Sequence, residues 1–582
     1  MRIMKTILTY LSTIAVALTV LTACNDFLDE TPDSRINVNT EEKVKALLAT
    51  AYPQASFVRV TELASDNADD LNGDLNGNYD RFSEQCYRWQ PVTESDNENT
   101  AMIWQDYYAA IASANHALAA IEKMGGATTE TLKALKGEAL LCRAYAHFVL
   151  TNIFCMNYSS QFSKTDPGIP YTTEPETTLD PKYDRGTVAE DYEKIEKDLL
   201  EGLSLMSDAI YTVPRYHFNS KAAYTFASRF YLFYQQPEKV IEYATKALGN
   251  NPKEVMRDYE AMKDMPTDNM QPRSIQYTSA KEPANFLLLP VYSTDQYYFS
   301  GFTNMGGRFN NNCYIGQAEQ FFATPWEPSN SSAAQSQQMF RFYWFYSQAK
   351  NLFCLPKQPV YFEQYGTNNN TGYYRTIVVA LKAEEALLNR AEAYALLGKY
   401  DEALADMSIW TKNFVADKVK YNTYTYDENW NYIYAEQEIE NTLTMESVRR
   451  WAKKYDYYRP ERPMPRKHLN PEWITLTEGT DQENIIQCVL LLRRLEFLHE
   501  GMRWFDIKRY GIKIYRREIN TSLNALTLTD SLEYRDPRQA IQLPFEVQGA
   551  GLQPNARTAD DLQEEFNAWS AQMAERTFIL NK

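Results

Sequence analysis

The chain has 582 residues, with 59 basic against 76 acidic side chains and a formal net charge of −17. That balance, without a basic run, excludes a nucleic-acid binder, because neutralising phosphates takes clustered Lys and Arg. Only one stretch, near the start, is apolar enough to consider for a membrane, which excludes a polytopic membrane protein.

At about 100–200 residues per domain, the length allows a few small domains or one large repeat array. Residues 1–23 read as a lipoprotein signal peptide: Arg2 and Lys5 precede an apolar run, 7–21, that is too short to span a bilayer. The run ends in Leu21-Thr22-Ala23-Cys24, which resembles the lipobox cut by lipoprotein signal peptidase. Cys24 is then the lipidated first residue, and two or more acyl chains hold a protein stably on a membrane. The alternative is an uncleaved transmembrane anchor. Six cysteines follow, with no CxxC and no His at zinc-finger spacing, so no structural zinc site is expected. Disulfides are open to them outside the cell, but buried free thiols are the favoured reading.

Between residues 100 and 123, Ile103, Tyr107, Ile111, Ala114, Leu118 and Ile121 recur at spacings of three and four, which predicts an amphipathic helix. After Gly125-Gly126 a second helix is predicted over 132–154, forming a helical hairpin with the first. Further helices are predicted over 189–206, 220–234, 237–248, 376–397, 400–414 and 484–510, and no long alternating strand series competes with them. Two hairpins share an internal spacing that looks like tetratricopeptide repeats. The better copy carries Ala391, Tyr394, Gly398, Tyr400 and Ala403; the weaker carries Ser228, Tyr231, Pro237, Val240, Ala244, Ala247 and Pro252. Small residues allow close helix contact, and Gly398 can turn between helices. The expected fold is mainly α: a tetratricopeptide-like helical-hairpin solenoid in one domain, 24–582, with its repeat scaffold at about 100–250 and 376–511.

Loop-rich insertions are expected at about 66–99 and 253–374, with further irregular stretches at 163–186 and 415–441. Residues 286–346 hold 17 aromatics interleaved with Gly and Asn, bulk that a flexible linker lacks, so this insertion is expected to be structured. Aromatics make up 14% of the chain, including 42 Tyr. Sugars stack their C–H faces on flat rings while Asn, Asp and Arg bind the hydroxyls, so aromatics beside such groups in loops are the candidate ligand surface. One set is Tyr79, Arg81 and Trp89; the other is Tyr292, Tyr297, Tyr298 and Trp326. Trp104 and Trp504 lie on helical patterns and are assigned to the core.

Other chemistry finds less support. Arg493, Arg494, Glu496, Glu500, Arg503 and Asp506 are spaced for structural ion pairs, and carboxylates for glycosidic cleavage must flank a sugar from separate elements. No catalytic residue is assigned. The Asp66–Asn78 loop is rich in oxygen ligands, yet an EF-hand reading from Asp70 puts Leu75 where the sharp turn needs Gly. No cofactor is therefore expected, with calcium the lesser alternative. His116, His147, His217, His468 and His499 form no triad or metal cluster, and no phosphate-binding glycine loop is present.

From end to end the chain resembles the RagB/SusD outer-membrane nutrient-binding lipoproteins of Bacteroidetes. The resemblance begins at Cys24-Asn25-Asp26-Phe27-Leu28-Asp29 with Pro32, where the acids after Cys24 (with Glu30) resemble a surface-export signal. It continues at Glu138-Ala139-Leu140-Leu141-Cys142-Arg143-Ala144-Tyr145, Gly168-Ile169-Pro170-Tyr171 and Arg390-Ala391-Glu392-Ala393-Tyr394. Most specific is Arg493-Arg494-Leu495-Glu496-Phe497 followed by Glu500-Gly501-Met502-Arg503-Trp504-Phe505-Asp506, and Leu543-Pro544 with Asn555 resembles the family's close. The resemblance implies a non-catalytic protein, lipid-anchored on the cell surface. It would capture a glycan and deliver it to a SusC-like TonB-dependent transporter. A peptide ligand, a scaffold without ligand and a surface glycoside hydrolase are the alternatives.

Overall fold

Polar side chains start the long helices at the points where the apolar periodicity begins. Asn99, Thr129, Thr187, Asn219 and Thr480 each accept a hydrogen bond from a first-turn backbone N–H, and Thr187 forms a full capping box with Glu190. The resulting helices are Thr100–Lys123, Glu130–Phe154, Val188–Leu205, Ser220–Phe233 and Asp481–Glu496. Pro237 occupies the first turn of Pro237–Leu248, where its missing N–H costs nothing. The computed structural model describes residues 38–557 except 96–97, 178–181, 267–268, 301–305, 327–339, 343–344, 348–350, 366–370, 416–417, 430, 441–442, 461 and 521–524, together with Phe578–Ile579. The signal peptide and Cys24 lie outside the described residues.

The fold is mainly helical. Thr100–Lys123 packs on Glu130–Phe154, and that helix on Val188–Leu205. Ser220–Phe233 pairs with Pro237–Leu248, which packs on Ala383–Leu396, itself paired with Tyr400–Phe414 and Asp481–Glu496. Ala391 and Ala403 have no exposed surface, so larger side chains there would overpack at about 1–3 kcal/mol. Gly398 takes φ +73° in the turn between the paired helices, a left-handed conformation that favours glycine. Five of the six described cysteines are buried.

Three expectations are corrected. The helix predicted over 376–397 begins as a strand, Gly372–Lys382, and becomes helical only at Ala383. Thr376, Ile377, Val378 and Val379 are β-branched and suit a pleated surface, where they pair antiparallel with Asn285–Tyr292. The helix predicted over 484–510 breaks into Asp481–Glu496 and Arg503–Tyr510, because His499 and Gly501 both take positive φ. The stretch 415–441 is not irregular: Lys418–Tyr426 and Tyr432–Glu440 form a nine-residue antiparallel hairpin, with Tyr424 opposite Tyr434 and Tyr426 opposite Tyr432.

The insertions are structured and tied together. Asp69–Asp70 pairs parallel with Ile514–Asn520 and antiparallel with Phe309–Asn310, so one small sheet joins residues from both loop regions. A second sheet, ordered Asn285–Tyr292, Gly372–Lys382, Tyr361–Gln364, stands beside it. The ends of these two sheets frame the candidate site.

Candidate functional site

A cleft of about 730 Å³ opens where the loop after Asp70 meets the 294–309 segment. Its walls are Asn78, Tyr79 and Asp80 on one side and Thr294, Tyr297, Gly307 and Tyr374 on the other, with Arg59 and Tyr298 beneath. Hydrogen bonds from side chain to backbone fix the two walls. The Asn76 amide donates to the carbonyls of Gly306 and Gly307 at 3.2 and 3.0 Å, and the Asn78 amide donates to Gly306 at 3.2 Å. A Cβ on Gly307 would stand 2.0 Å from the Tyr298 hydroxyl, so only glycine lets the backbone pass there.

The floor is rigid. The Tyr298 hydroxyl donates to the Phe309 carbonyl at 2.6 Å, and the Arg59 guanidinium lies 4.9 Å above the Tyr298 ring. Arg59 is held by Asp295 at 2.9 Å and donates to the Thr294 hydroxyl at 2.8 Å. Above the floor the rings are open to solvent. Tyr79 is 51% exposed and Tyr374 39%, and Tyr297 meets Tyr374 edge-on with centroids 5.1 Å apart. The Tyr79 hydroxyl donates to Glu84 at 2.6 Å, which raises its pKa. Partial burial and a hydrogen bond with Tyr374 push the Tyr297 hydroxyl up to about 12. The Tyr79 and Tyr297 phenols are therefore neutral at physiological pH, and the cleft offers flat rings, hydroxyls, an amide, the Asp80 carboxylate and, beneath, the Arg59 guanidinium.

The structure brings Tyr79 together with the adjacent pair Tyr297 and Tyr298, more than two hundred positions away in sequence. Arg81 stays on the outer rim, exposed and 3.4 Å from Glu94. Tyr292 lies on the neighbouring strand under the Arg375 guanidinium, 3.9 Å from its ring. Two expectations fail. Trp89 is only 5% exposed: its indole N–H donates to the Ala64 carbonyl at 2.8 Å and its ring is covered by Arg516 and Arg538. Trp326 is 4% exposed in the core, 6.5 Å from Trp410. Both indoles are spent on packing and cannot meet a ligand. Arg59, Asn78, Asp80, Thr294 and Tyr374 were not singled out; Tyr374 was hidden in a strand whose start was read as loop and helix.

The other charged candidates are occupied internally. Asp506 accepts from Arg493 at 2.9 and 3.1 Å and from Arg509 at 2.7 Å, while Glu496 meets Lys382 at 2.8 Å and accepts from the Trp410 indole at 2.8 Å. In the acidic loop, Asp66 is paired with Arg503 and Asp69 with Arg517, and Asp70 binds Arg308. Guanidinium groups therefore neutralise the carboxylates that a cation would need, and no group of three His, Cys, Asp or Glu side chains converges as a metal site among the described residues. His147 is buried, stacked on Tyr171 with centroids 3.8 Å apart, and desolvation lowers its pKa to about 3. No described helix is long and apolar enough to cross a membrane.

The helical-repeat scaffold presents an aromatic-walled cleft on its inserted loops. The SusD family profile matches residues 172–567, more than half of the chain, and the chain belongs to that family. A second profile, described as starch-binding and associating with outer membrane, matches residues 26–232. A search of curated proteins returns no match. Among solved structures, a SusD superfamily protein from Bacteroides vulgatus is 17% identical with a TM-score of 0.57, covering 90% of this chain and 100% of its own. One from Bacteroides thetaiotaomicron is 18% identical with a TM-score of 0.55, covering 89% and 100%. A SusD-like carbohydrate binding protein from Bacteroides vulgatus is 13% identical with a TM-score of 0.51, covering 91% and 97%. At these identities the likeness is one of fold.

Proposed function

We propose that this protein is a non-catalytic, lipid-anchored glycan-binding protein of the outer cell surface. It captures an oligo- or polysaccharide in the Tyr79–Tyr297–Tyr374 cleft and delivers it to a SusC-like TonB-dependent transporter. The observation that carries this reading is the pairing of solvent-open tyrosine rings with hydrogen-bonding side chains, among them Asn78 and Asp80, above a floor fixed by hydrogen bonds. A pyranose buries its C–H face on a ring and leaves its hydroxyls for Asn78, Asp80 and the phenols, which suits a neutral, hydroxyl-rich ligand. The match of residues 26–232 to a profile described as starch-binding and associating with outer membrane supports the ligand class and the location. Cys24 supplies the anchor, so the cleft works at the cell surface without a membrane-spanning helix.

A binding screen tests this. The full chain, purified in detergent, is assayed against amylopectin, xylan, pectin, yeast mannan and a casein peptide digest. Saturable binding of one glycan class, lost in Tyr297→Ala, supports the reading. Binding confined to peptides, or glycan binding indifferent to Tyr297, contradicts it. Release of reducing ends during the assay contradicts the non-catalytic part. Co-purification with a TonB-dependent transporter from the native membrane tests delivery.

A further inference from the structure

The end of the sheet beside the cleft is exposed on both faces, yet it is aromatic rather than charged. Tyr361, Phe362, Tyr365, Tyr373 and Tyr374 are five of the eight exposed aromatic side chains among the described residues; four stand on this one strand pair and Tyr365 directly follows it, its N–H donating to the Thr371 carbonyl at 2.8 Å. Register sorts them, because residues directly opposite on neighbouring strands share a face and successive residues alternate. Phe362 is opposite Tyr374, and both face the cleft side, where Tyr374 meets Tyr297. Arg375 is opposite both Tyr292 and Tyr361, and Tyr373 is opposite Glu363, which places all five on the far face.

On that far face the rings form a row. Tyr292 meets Tyr373 with centroids 5.7 Å apart, and Tyr373 meets Tyr365 at 6.4 Å. Tyr365 is 70% exposed and Tyr373 53%, so the row faces solvent. Arg375 is ion-paired with Glu363 and donates to the Tyr292 hydroxyl, leaving no net charge on the patch. An exposed apolar strand end is an association liability unless it is used, and natural sheet edges are normally blunted with charge. The row is neutral, ring-faced and rimmed by hydroxyls, the same chemistry as the cleft wall, and the same strand supplies both: Tyr374 to the cleft, Tyr373 and Arg375 to the far face.

We propose that the Tyr292–Tyr373–Tyr365 row is a second sugar-stacking surface for the glycan that the cleft binds, engaged only by chains too long for the cleft. This rests on the glycan reading of the cleft. It makes the protein a two-site holder of polymers and gives a preference for long chains over short ones.

The test measures the affinity of the full chain for the polysaccharide retained in the screen and for its hexasaccharide, using parent, Tyr297→Ala and the double variant Tyr365→Ala/Tyr373→Ala. The double variant is solvent-facing and is expected to keep its melting temperature. It should bind the polymer about tenfold more weakly and the hexasaccharide within about twofold of the parent. Tyr297→Ala should weaken both. Polymer affinity unchanged in the double variant overturns the second surface while leaving the cleft intact. Equal losses for polymer and hexasaccharide also overturn it, since the row would then belong to the cleft site. Polymer binding that ignores Tyr297 but is lost in the double variant overturns the cleft reading, and with it the two-site arrangement. If sedimentation shows a parent dimer that the double variant converts to monomer, the row is a self-association surface and the proposal fails.

Discussion

Tyr297 and Tyr374 meet edge-on, ring centroids 5.1 Å apart, although one belongs to the short helix Asp295–Phe299 and the other to the strand Gly372–Lys382. The contact joins two walls of the cleft and leaves ring surface open on its inner side. Replacing either ring with Ala should weaken glycan binding about tenfold, equal to about 1.4 kcal/mol, with little change in stability because both are partly exposed. Isothermal titration beside a thermal melt separates the two effects.

Trp89→Ala should do the reverse. Its indole is hydrogen-bonded to Ala64 and covered by Arg516 and Arg538, so truncation leaves a cavity, while the Ala64 carbonyl keeps its second bond, from Arg516 at 2.9 Å. The expected cost is about 3–5 kcal/mol of stability, read from urea denaturation. At temperatures where the variant is folded, glycan affinity should stay within about twofold of the parent.

Gly307→Ala places a methyl 2.0 Å from the Tyr298 hydroxyl, which is fixed to the Phe309 carbonyl. The wall must shift to admit it. Affinity should fall although no ligand-facing side chain has changed, and Tyr298→Phe in the same chain should not restore it, because the ring carbons Cζ and Cε2 still stand 2.2 and 2.3 Å from the added methyl. Titration of the single and double variants decides this.

How far the sequence speaks follows the kind of signal each element carries. The helices 100–123 and 237–248 are where the apolar spacing puts them, because Asn99 caps the first and Pro237 opens the second; 400–414, with no side-chain cap at Lys399, is placed by its apolar spacing after the turn at Gly398. The strand Gly372–Lys382 was misread because its β-branched run leads straight into a real helix with no breaker between them. The turn at 497–502 was missed because His499 takes positive φ only under the grip of its surroundings: its backbone N–H donates to buried Glu62 at 2.9 Å. Tyr79, Tyr297 and Tyr298 were legible as loop aromatics beside Asn and Asp. Trp89 and Trp326 carry the same local signature, and only the packing of distant partners buries them. Tyr374 needed the strand register before it could be seen.

The buried ion pairs around the Arg503–Tyr510 helix should dominate stability. Burial alone would raise the Asp506 carboxyl, but Arg493 and Arg509 hold it below its ordinary 3.8. Its contribution is therefore present above pH 3.8 and is lost as pH falls through the lower folded-state value. Arg493→Ala removes one of the two guanidinium partners of buried Asp506 and leaves Arg509, so it should destabilise at neutral pH by less than about 3–5 kcal/mol, the cost of a fully stranded buried charge. Urea denaturation at pH 7 checks this, and a parent that unfolds in acid below about pH 4 fits the same sign.

Asp191 titrates in the opposite sense. Desolvation raises its carboxyl from 3.8 to about 8, against the hydrogen bond it accepts from Ile169 N–H at 2.9 Å. The folded state then holds a proton that the unfolded chain has released, so this contribution is full below pH 3.8 and is lost as pH rises to about 8. Asp191→Asn removes the titration. Its stability relative to the parent should improve steadily from pH 4 to pH 8 and then level off, measured by urea denaturation across that range; a constant difference would refute the assignment.

The central claim is that the cleft holds a glycan on its tyrosine rings. The most direct measurement is titration of the polysaccharide retained by the parent against the double variant Tyr297→Ala/Tyr374→Ala, with circular dichroism confirming an unchanged fold. The account predicts a loss of at least about tenfold, the worth of one stacking ring, because two rings in contact do not contribute independently. A folded double variant that binds the polysaccharide as tightly as the parent would place the ligand elsewhere and contradict the account.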